Sequence, residues 1–261
     1  MNAERAIRPL VLVPGACLGG GAWREVAQRL RAAGHDVHTV TLTGLGDRVH
    51  LATREVDLDT HITDVVNLLD YEGLDDAVLV GHSYAGVVVT GVADRRPERL
   101  NAVVYLDTGP LPDGMAIVDV QTPEQREQQR GETERHGDGW RWPVPGRATL
   151  ETGMYGSAAG LTDEHFRLLE ERGTPQPYAT FTTPLRLSDD GSPGVRRAVI
   201  FCSDGGMSLA MLRDLVNEGD PRAAVFADPG WELHELETGH WAMLAAPGLT
   251  AELLHEIASA R

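Results

Sequence analysis

The chain has 261 residues, of which 42% are hydrophobic and 24% are charged, a composition that supports one sizeable core. The formal net charge of −16 disfavours nucleic acid and anionic membrane surfaces as partners, because both are negatively charged. No apolar run approaches the roughly 20 residues that a membrane span needs, and no targeting signal is recognisable at the start. Two cysteines, Cys17 and Cys202, give neither a disulfide framework nor a metal-binding spacing. We expect one cytoplasmic domain over residues 1–261.

Short apolar runs alternate with amphipathic patterns along most of the chain. Strands are predicted at residues 9–13, 36–42, 77–80, 100–106, 196–201 and 231–236, and the apolar runs at 9–13 and 77–80 predict that those two are buried. Apolar residues at helical spacing predict helices at 23–33, from a cap at Asp59 or Thr60 onward, after residue 86, at 208–216 and after Pro247. Strands that alternate with helices indicate an α/β fold: a mostly parallel sheet with helices on both faces.

The composition changes between residues 111 and 193, where Pro, Gln, Glu and Gly are frequent. We interpret this segment as a cap inserted into the α/β domain, because it lacks the strand pattern found on either side. Scattered aromatic residues suggest an apolar pocket, although a core or a homodimer interface explains them nearly as well. These are Trp140, Trp142, Tyr155, Phe166, Tyr178 and Phe181.

The most informative stretch is residues 76–86, where the third apolar run meets Gly-His-Ser-Tyr-Ala-Gly. A serine with small residues two positions before and after it, here Gly81 and Ala85, fits the nucleophile-elbow pattern. A sharp strand-to-helix turn forces such a serine into a strained backbone conformation and leaves no room for bulk beside it. The pattern therefore predicts Ser83 as a nucleophile. An ordinary glycine-rich turn is the alternative.

A serine nucleophile needs a base, and ten histidines compete for that role. His240 is our choice, because it follows the last predicted strand in a Thr-Gly-His turn, and the order serine, acid, histidine is typical of this kind of site. His82 is interpreted as a packing residue beneath the turn, since neighbours in an elbow point in different directions. His61 and the histidines in other polar or helical contexts are interpreted as solvated.

Two carboxylates are candidates for the third member of the triad. Asp204 follows the strand at 196–201, and Asp107 follows the strand at 100–106. Either strand end could bring a carboxylate to His240. We favour Asp107, because Thr-Gly-Pro after it forms a stiffer loop than the two glycines after Asp204.

Backbone N–H groups usually supply the oxyanion hole. Tyr84 follows the predicted nucleophile directly, and the small residues after the first strand offer Ala16 as first choice and Cys17 as second. The glycines of this loop could instead form a phosphate-binding turn, but the spacing G-x-G-x-x-G is absent. No metal-binding pattern is recognisable, so we expect no cofactor and no metal.

Four segments together resemble the α/β-hydrolase superfamily: residues 12–23, 42–48, 81–86 and 238–240. Within it the chain resembles the branch of bacterial carboxylesterases, plant methyl esterases that bind salicylate, and hydroxynitrile lyases, over nearly its whole length. Two positions depart from the branch pattern. Pro14-Gly15 replaces the usual His-Gly of the oxyanion loop, and Ala85 replaces the final glycine of the elbow. Neither change removes a catalytic group.

The same resemblance separates hydrolysis from lyase chemistry. The lyases carry threonine where this chain has Gly15, and lysine after the catalytic histidine where this chain has Trp241. The resemblance therefore implies a cofactor-free serine hydrolase that acts on a small or medium ester with an apolar part. A non-hydrolytic enzyme on the same scaffold (lyase, acyl transferase or biosynthetic cyclase) and a slow-turnover ligand receptor are the alternatives.

Overall fold

A parallel sheet forms the centre of the protein. The computed structural model describes residues 7–188, 194–220 and 223–260. Its strands are β1 (Leu10–Val13), β2 (Val37–Thr39), β3 (Ala77–His82), β4 (Leu100–Leu106), β5 (Arg141–Trp142), β6 (Gln176–Pro177), β7 (Arg196–Cys202) and β8 (Trp231–Leu236). Within the described residues, six of them form one sheet in the order β2-β1-β3-β4-β7-β8, and every neighbouring pair is parallel.

Helices cover both faces of this sheet. The α-helices are α1 (Arg24–Ala32), α2 (Leu58–Glu72), α3 (Ala85–Arg95), α4 (Ile117–Val120), α5 (Pro123–His136), α6 (Arg147–Leu150), α7 (Asp163–Arg172), α8 (Ala179–Thr182), α9 (Leu209–Glu218), α10 (Ala242–Ala245) and α11 (Pro247–Ser259). Side chains of α2 and α3 pack on one face, in a cluster with Val11 and Val13 of β1. Side chains of α1 and α11 pack on the other, with Leu10 and Leu12. This alternation follows from the two-residue period of a strand, and the predicted α/β class is confirmed.

Several element boundaries differ from the prediction by one or more residues, and two of the differences have a clear local cause. Helix α2 is capped by Asp57, not by Asp59 or Thr60; the Asp57 carboxylate accepts a hydrogen bond from the N–H of Thr60 in a capping box. Strand β2 ends at Thr39 and not at residue 42. The N–H of Val40 still bonds the sheet, but the Thr41 hydroxyl accepts from the N–H of Gly20, and the chain turns away from the sheet there.

The segment between β4 and β7 adds no strand to the main sheet within the described residues. It contains α4 to α8 and the short antiparallel pair β5-β6. The predicted end of the cap, at residue 193, lies outside the described residues. The assignment of residues 111–193 as an inserted cap stays a prediction, and we use the word cap for this segment below.

Residues 7–188, 194–220 and 223–260 contain neither a membrane-spanning helix nor a cluster of metal-ligating side chains. No helix there is long and apolar enough to cross a membrane. No group of three or more His, Cys, Asp or Glu side chains there is arranged to hold a metal ion.

Candidate active site

Ser83 lies in the turn between β3 and α3. Its φ of 52° is in the left-handed region, which a non-glycine residue adopts at a cost. The Ser83 N–H donates to the carbonyl of Leu106 at 3.1 Å, which ties the turn to β4. A side chain at Gly81 would come within 2.7 Å of the Ala85 carbonyl and 2.8 Å of the Val89 side chain, so only glycine fits there. These contacts explain the small residues around Ser83.

His240 and Asp107 meet at the carboxyl end of the sheet. The Nδ1–H of His240 donates to Oδ2 of Asp107 at 2.6 Å, and Oδ1 of the same carboxylate accepts from the N–H of Cys202 at 3.1 Å. Asp107 also has a left-handed φ of 48°, and its N–H donates to Ile200 O on β7 at 2.8 Å. Both carboxylate oxygens and the backbone are therefore fixed by neighbouring strands, and His240 is buried beside them.

Asp204 is not brought to the histidine. Its side chain is exposed, and its N–H donates to Thr238 O at 3.1 Å. The Nδ1–H of His240 donates to Asp107 instead. The geometry thus distinguishes the two carboxylates, and the choice of Asp107 as the acid stays a prediction about its role.

The cap holds the loop that carries His240, a contact that sequence reasoning missed. The N–H of His240 donates to Ser157 O at 2.8 Å. Gly156, with φ of 110°, packs so close to the imidazole ring that any side chain there would collide with it. From below, the Nε2–H of His82 donates to His240 O at 2.9 Å. The ring of His82 therefore supports the backbone of His240.

In the loop after β1, the backbone N–H of Ala16 is free and that of its neighbour Cys17 is bound. The N–H of Cys17 donates to Oε1 of Gln176 at 2.8 Å, so it is not available to a ligand. Within the described residues, the N–H groups of Ala16 and Tyr84 have no acceptor. Our second choice for this loop, Cys17, is thereby disfavoured on geometric grounds. Burial raises the pKa of the Cys17 thiol to about 12, which keeps it protonated.

His61 is buried and not solvated, in contrast to the sequence interpretation. Its Nε2–H donates to Thr43 O at 2.9 Å, and its Nδ1 accepts from the hydroxyl of Tyr84 at 2.8 Å. Burial lowers the pKa of His61 to about 4, against smaller opposing effects of Thr43 O and nearby carboxylates. His61 is therefore a neutral partner of the residue that follows Ser83.

The lowered pKa of His61 predicts that stability falls in mild acid. In the unfolded chain its pKa returns to about 6.5, so the unfolded state binds more protons between that value and the folded one of about 4. Stability is then lost as the pH falls through this window. Between about pH 7.5 and about pH 5, the contribution of His61 to the free energy of unfolding should fall by about 2 kcal/mol. Urea unfolding at both pH values measures this drop.

A matched pair of variants isolates the effect. His61→Gln keeps a donor for Thr43 O and an acceptor for the Tyr84 hydroxyl but cannot titrate. The loss of unfolding free energy between the two pH values should therefore be about 2 kcal/mol smaller in this variant than in the native protein. His50→Gln removes an exposed imidazole and should leave the pH dependence unchanged. An equal loss in the native protein and in His61→Gln would contradict the assignment.

A small cavity of about 60 Å³ lies over Ser83. Ser83, His240 and Ala16 border it from the sheet side. The cap closes the other side with mainly apolar side chains: Trp142, Val144, Leu150, Tyr155 and Leu169. The cap aromatics also pack on each other, since the rings of Trp142 and Tyr155 have centroids 5.0 Å apart. The candidate groups for chemistry therefore face a confined and mainly apolar space.

A wider groove of about 870 Å³ runs along the edge strand β2. It is open and is lined by charged side chains such as Arg48 and Asp64. These two are already paired with each other and with the Thr43 hydroxyl. None of the residues that line this groove borders the cavity over Ser83. The candidate groups for chemistry therefore lie at the smaller cavity and not at this groove.

Comparison with known proteins agrees with this architecture. Residues 10–253 match the alpha/beta hydrolase family. The chain is 35% identical over 253 residues to the carbendazim hydrolyzing esterase of Nocardioides sp. (strain SG-4G), covering 94% of this chain and 97% of that one. Methylesterase 7 of Arabidopsis thaliana is 24% identical over 266 residues, covering 96% of each chain.

Solved structures give the same fold. An extracellular alpha/beta-hydrolase from a Paenibacillus species, described as homologous to tobacco salicylic acid binding protein 2, superposes with a TM-score of 0.79 at 20% identity. The match covers 97% of this chain and 99% of that one. Tomato methylketone synthase I in complex with 2-tridecanone gives a TM-score of 0.71 at 19% identity, covering 97% and 98%. The predicted resemblance is confirmed: the chain belongs to the alpha/beta hydrolase family and is a carboxylesterase-like enzyme.

Proposed function

We propose that the protein is a serine hydrolase that cleaves a small or medium carboxylic ester with an apolar part, through an acyl-enzyme. The observation that carries the proposal is the 2.6 Å hydrogen bond between His240 and Asp107 at the cavity that Ser83 borders. A carboxylate that accepts from Nδ1–H leaves Nε2 as the basic nitrogen, and a base oriented in this way is what a serine nucleophile requires.

Each group has one role in the proposed reaction. Ser83 Oγ attacks the ester carbonyl while Nε2 of His240 takes the hydroxyl proton, and Asp107 stabilises the imidazolium that forms. The N–H groups of Ala16 and Tyr84 donate to the carbonyl oxygen as it becomes negative. The tetrahedral adduct collapses, and the imidazolium gives its proton to the departing alcohol. Water then attacks the acyl-enzyme by the same route and releases the acid.

Local packing supports hydrolysis over the lyase alternative. A side chain at position 15 would come within 2.7 Å of Nδ1 of His82 and 3.1 Å of Cβ of Ser83, so the threonine of the lyases does not fit without movement. Trp241 is buried edge-on against the ring of His240, with centroids 4.9 Å apart, where the lyases carry a lysine. The esterase and methylesterase names of the relatives favour ester cleavage as well.

The cavity predicts a preference for short esters. Its volume of about 60 Å³ is far below the roughly 300–1,000 Å³ of ordinary ligand pockets. A long acyl chain therefore has to displace packed cap side chains, which costs on the order of 1–3 kcal/mol. From p-nitrophenyl butyrate to p-nitrophenyl decanoate, kcat/KM should fall by about tenfold to a hundredfold. Release of p-nitrophenol measures both rates.

The same assay distinguishes the alternatives. Steady turnover with release of the free acid supports hydrolysis. One equivalent of p-nitrophenol followed by no further release would favour a slow-turnover receptor. Capture of the acyl group by an added alcohol, at the expense of the free acid, would favour acyl transfer. A rate that rises with chain length would contradict the short-ester preference.

A further inference from the structure

Buried polar side chains link the two loops that supply the proposed oxyanion donors. Gln176 of the cap accepts the Cys17 N–H at 2.8 Å through Oε1, and its Nε2 donates to the hydroxyl of Thr180 at 2.9 Å. That hydroxyl donates in turn to Pro177 O at 2.7 Å. Gln176 and Thr180 are both 0% exposed, so water cannot replace these bonds.

The other end of the link is the side chain of Tyr84. Its hydroxyl donates to Nδ1 of His61 at 2.8 Å. Burial raises the pKa of this hydroxyl well above its usual value, and the adjacent Thr180 hydroxyl lowers it by a smaller amount. Tyr84 also packs against Phe181 of the cap, with ring centroids 5.3 Å apart. The cap residues 176–181 therefore touch both the loop after β1 and the residue after Ser83.

The backbone of Cys17 explains why such a support is needed. Its φ of 63° is left-handed, a conformation that is unfavourable for a non-glycine residue and persists only where the surroundings enforce it. The amide of Gln176 bonds the N–H of this strained residue directly. The Cys17 N–H is held toward the cap, and the neighbouring N–H of Ala16 has no acceptor in the described residues.

We propose that Gln176 is a positioning residue of the oxyanion hole: it fixes the loop after β1 so that the N–H of Ala16 faces the substrate together with the N–H of Tyr84. Thr180 holds the amide of Gln176 in the required orientation. Gln176 does not touch the reacting atoms. The inference rests on the proposed hydrolysis, because it assigns a support to the oxyanion hole of that reaction.

The test compares two buried cap glutamines. Gln176→Met keeps the length of the side chain but removes the acceptor for Cys17. Gln129→Met is the matched control, since Gln129 is 1% exposed and bonds Gln121 at 3.0 Å within the cap. Removal of a whole oxyanion donor costs about 10² to 10³ in kcat, so a misplaced donor should cost about tenfold to a hundredfold. We expect that loss in kcat for Gln176→Met with KM within about threefold, and kcat within about threefold for Gln129→Met.

A second readout separates positioning from loss of stability. An aryl trifluoromethyl ketone adds to a serine hydroxyl and places an oxyanion in the hole, so its affinity should fall in Gln176→Met by about the same factor as kcat/KM. Both glutamine variants should lower the melting temperature, but only Gln176→Met should weaken binding of the ketone. Thr180→Val should cause a similar but smaller loss, and Thr180→Ser, which keeps the hydroxyl, should restore kcat. The Thr180 pair also tests the proposal if Gln176→Met does not fold.

The outcomes distinguish this inference from the proposed function. If the native protein hydrolyses p-nitrophenyl butyrate and Gln176→Met retains kcat and ketone affinity within threefold, the positioning role is wrong and the hydrolase stands. Equal losses in the two glutamine variants would likewise overturn the positioning role. If the native protein neither turns over the ester nor binds the ketone, both proposals fall.

Discussion

Ser83→Ala is expected to lower kcat for p-nitrophenyl butyrate by about 10⁶, the loss typical of a triad serine. The left-handed φ of 52° and the bond from its N–H to Leu106 O hold Ser83 at the cavity, where an alanine keeps the turn but has no oxygen to attack the carbonyl. Because alanine tolerates this conformation about as well as serine, the melting temperature should change little. Initial rates and circular dichroism measure the two quantities.

A covalent probe identifies the nucleophile independently of turnover. A fluorophosphonate should label the native protein on the peptide that contains Ser83 and should not label Ser83→Ala. Ser203→Ala is the matched control, because Ser203 directly follows β7 in the same sheet and its hydroxyl donates to Leu236 O at 3.3 Å. Ser203→Ala should have a kcat within about threefold of native and should be labelled by the fluorophosphonate to the same extent as the native protein. Ser83→Ala activity within tenfold of native, or a label on another peptide, would exclude the proposed mechanism.

Local patterns predicted much of the fold. Strands β4 and β8 have the predicted limits, because β4 is a largely apolar run, β8 alternates apolar with polar side chains, and polar residues or turns bound both. The elbow is also a local feature, since its requirement for small residues concerns positions two apart in the chain. His61 could have been recognised as buried: it follows Leu58 and precedes Ile62 and Val65 at helical spacing, on the face of α2 that packs on the sheet.

Contacts between the cap and the sheet could not be predicted in this way. Gln176 bonds a residue 159 positions away in the chain, and no periodicity in either segment indicates that pairing. The same holds for Gly156, whose close approach to His240 depends on how the cap folds back. A buried polar group must find a hydrogen-bond partner somewhere in the fold, and a pattern within one element does not encode where that partner lies.

Asp107→Asn is expected to lower kcat by about 10⁴ with the fold intact, the loss known for asparagine in a triad. The carboxylate at this position accepts two bonds, from Cys202 N–H at 3.1 Å and from Nδ1–H of His240 at 2.6 Å. An asparagine has one acceptor oxygen. If that oxygen takes the fixed N–H of Cys202, its NH₂ group faces Nδ1 of His240. The imidazole must then carry its proton on Nε2, the nitrogen that has to accept the proton of Ser83.

The same substitution at the second carboxylate is the matched control for this argument. Asp204→Asn removes one exposed charge and no bond to His240 in the described residues, so it should change kcat by less than about tenfold. Thermal unfolding of both variants verifies that the fold is kept, and initial rates with p-nitrophenyl butyrate give the comparison. A severe loss of kcat in Asp204→Asn with a mild one in Asp107→Asn would assign the role of triad acid to Asp204. In that case the hydrogen bond that His240 donates to Asp107 would orient the imidazole ring without stabilising its charge. The remaining mechanism would be unchanged.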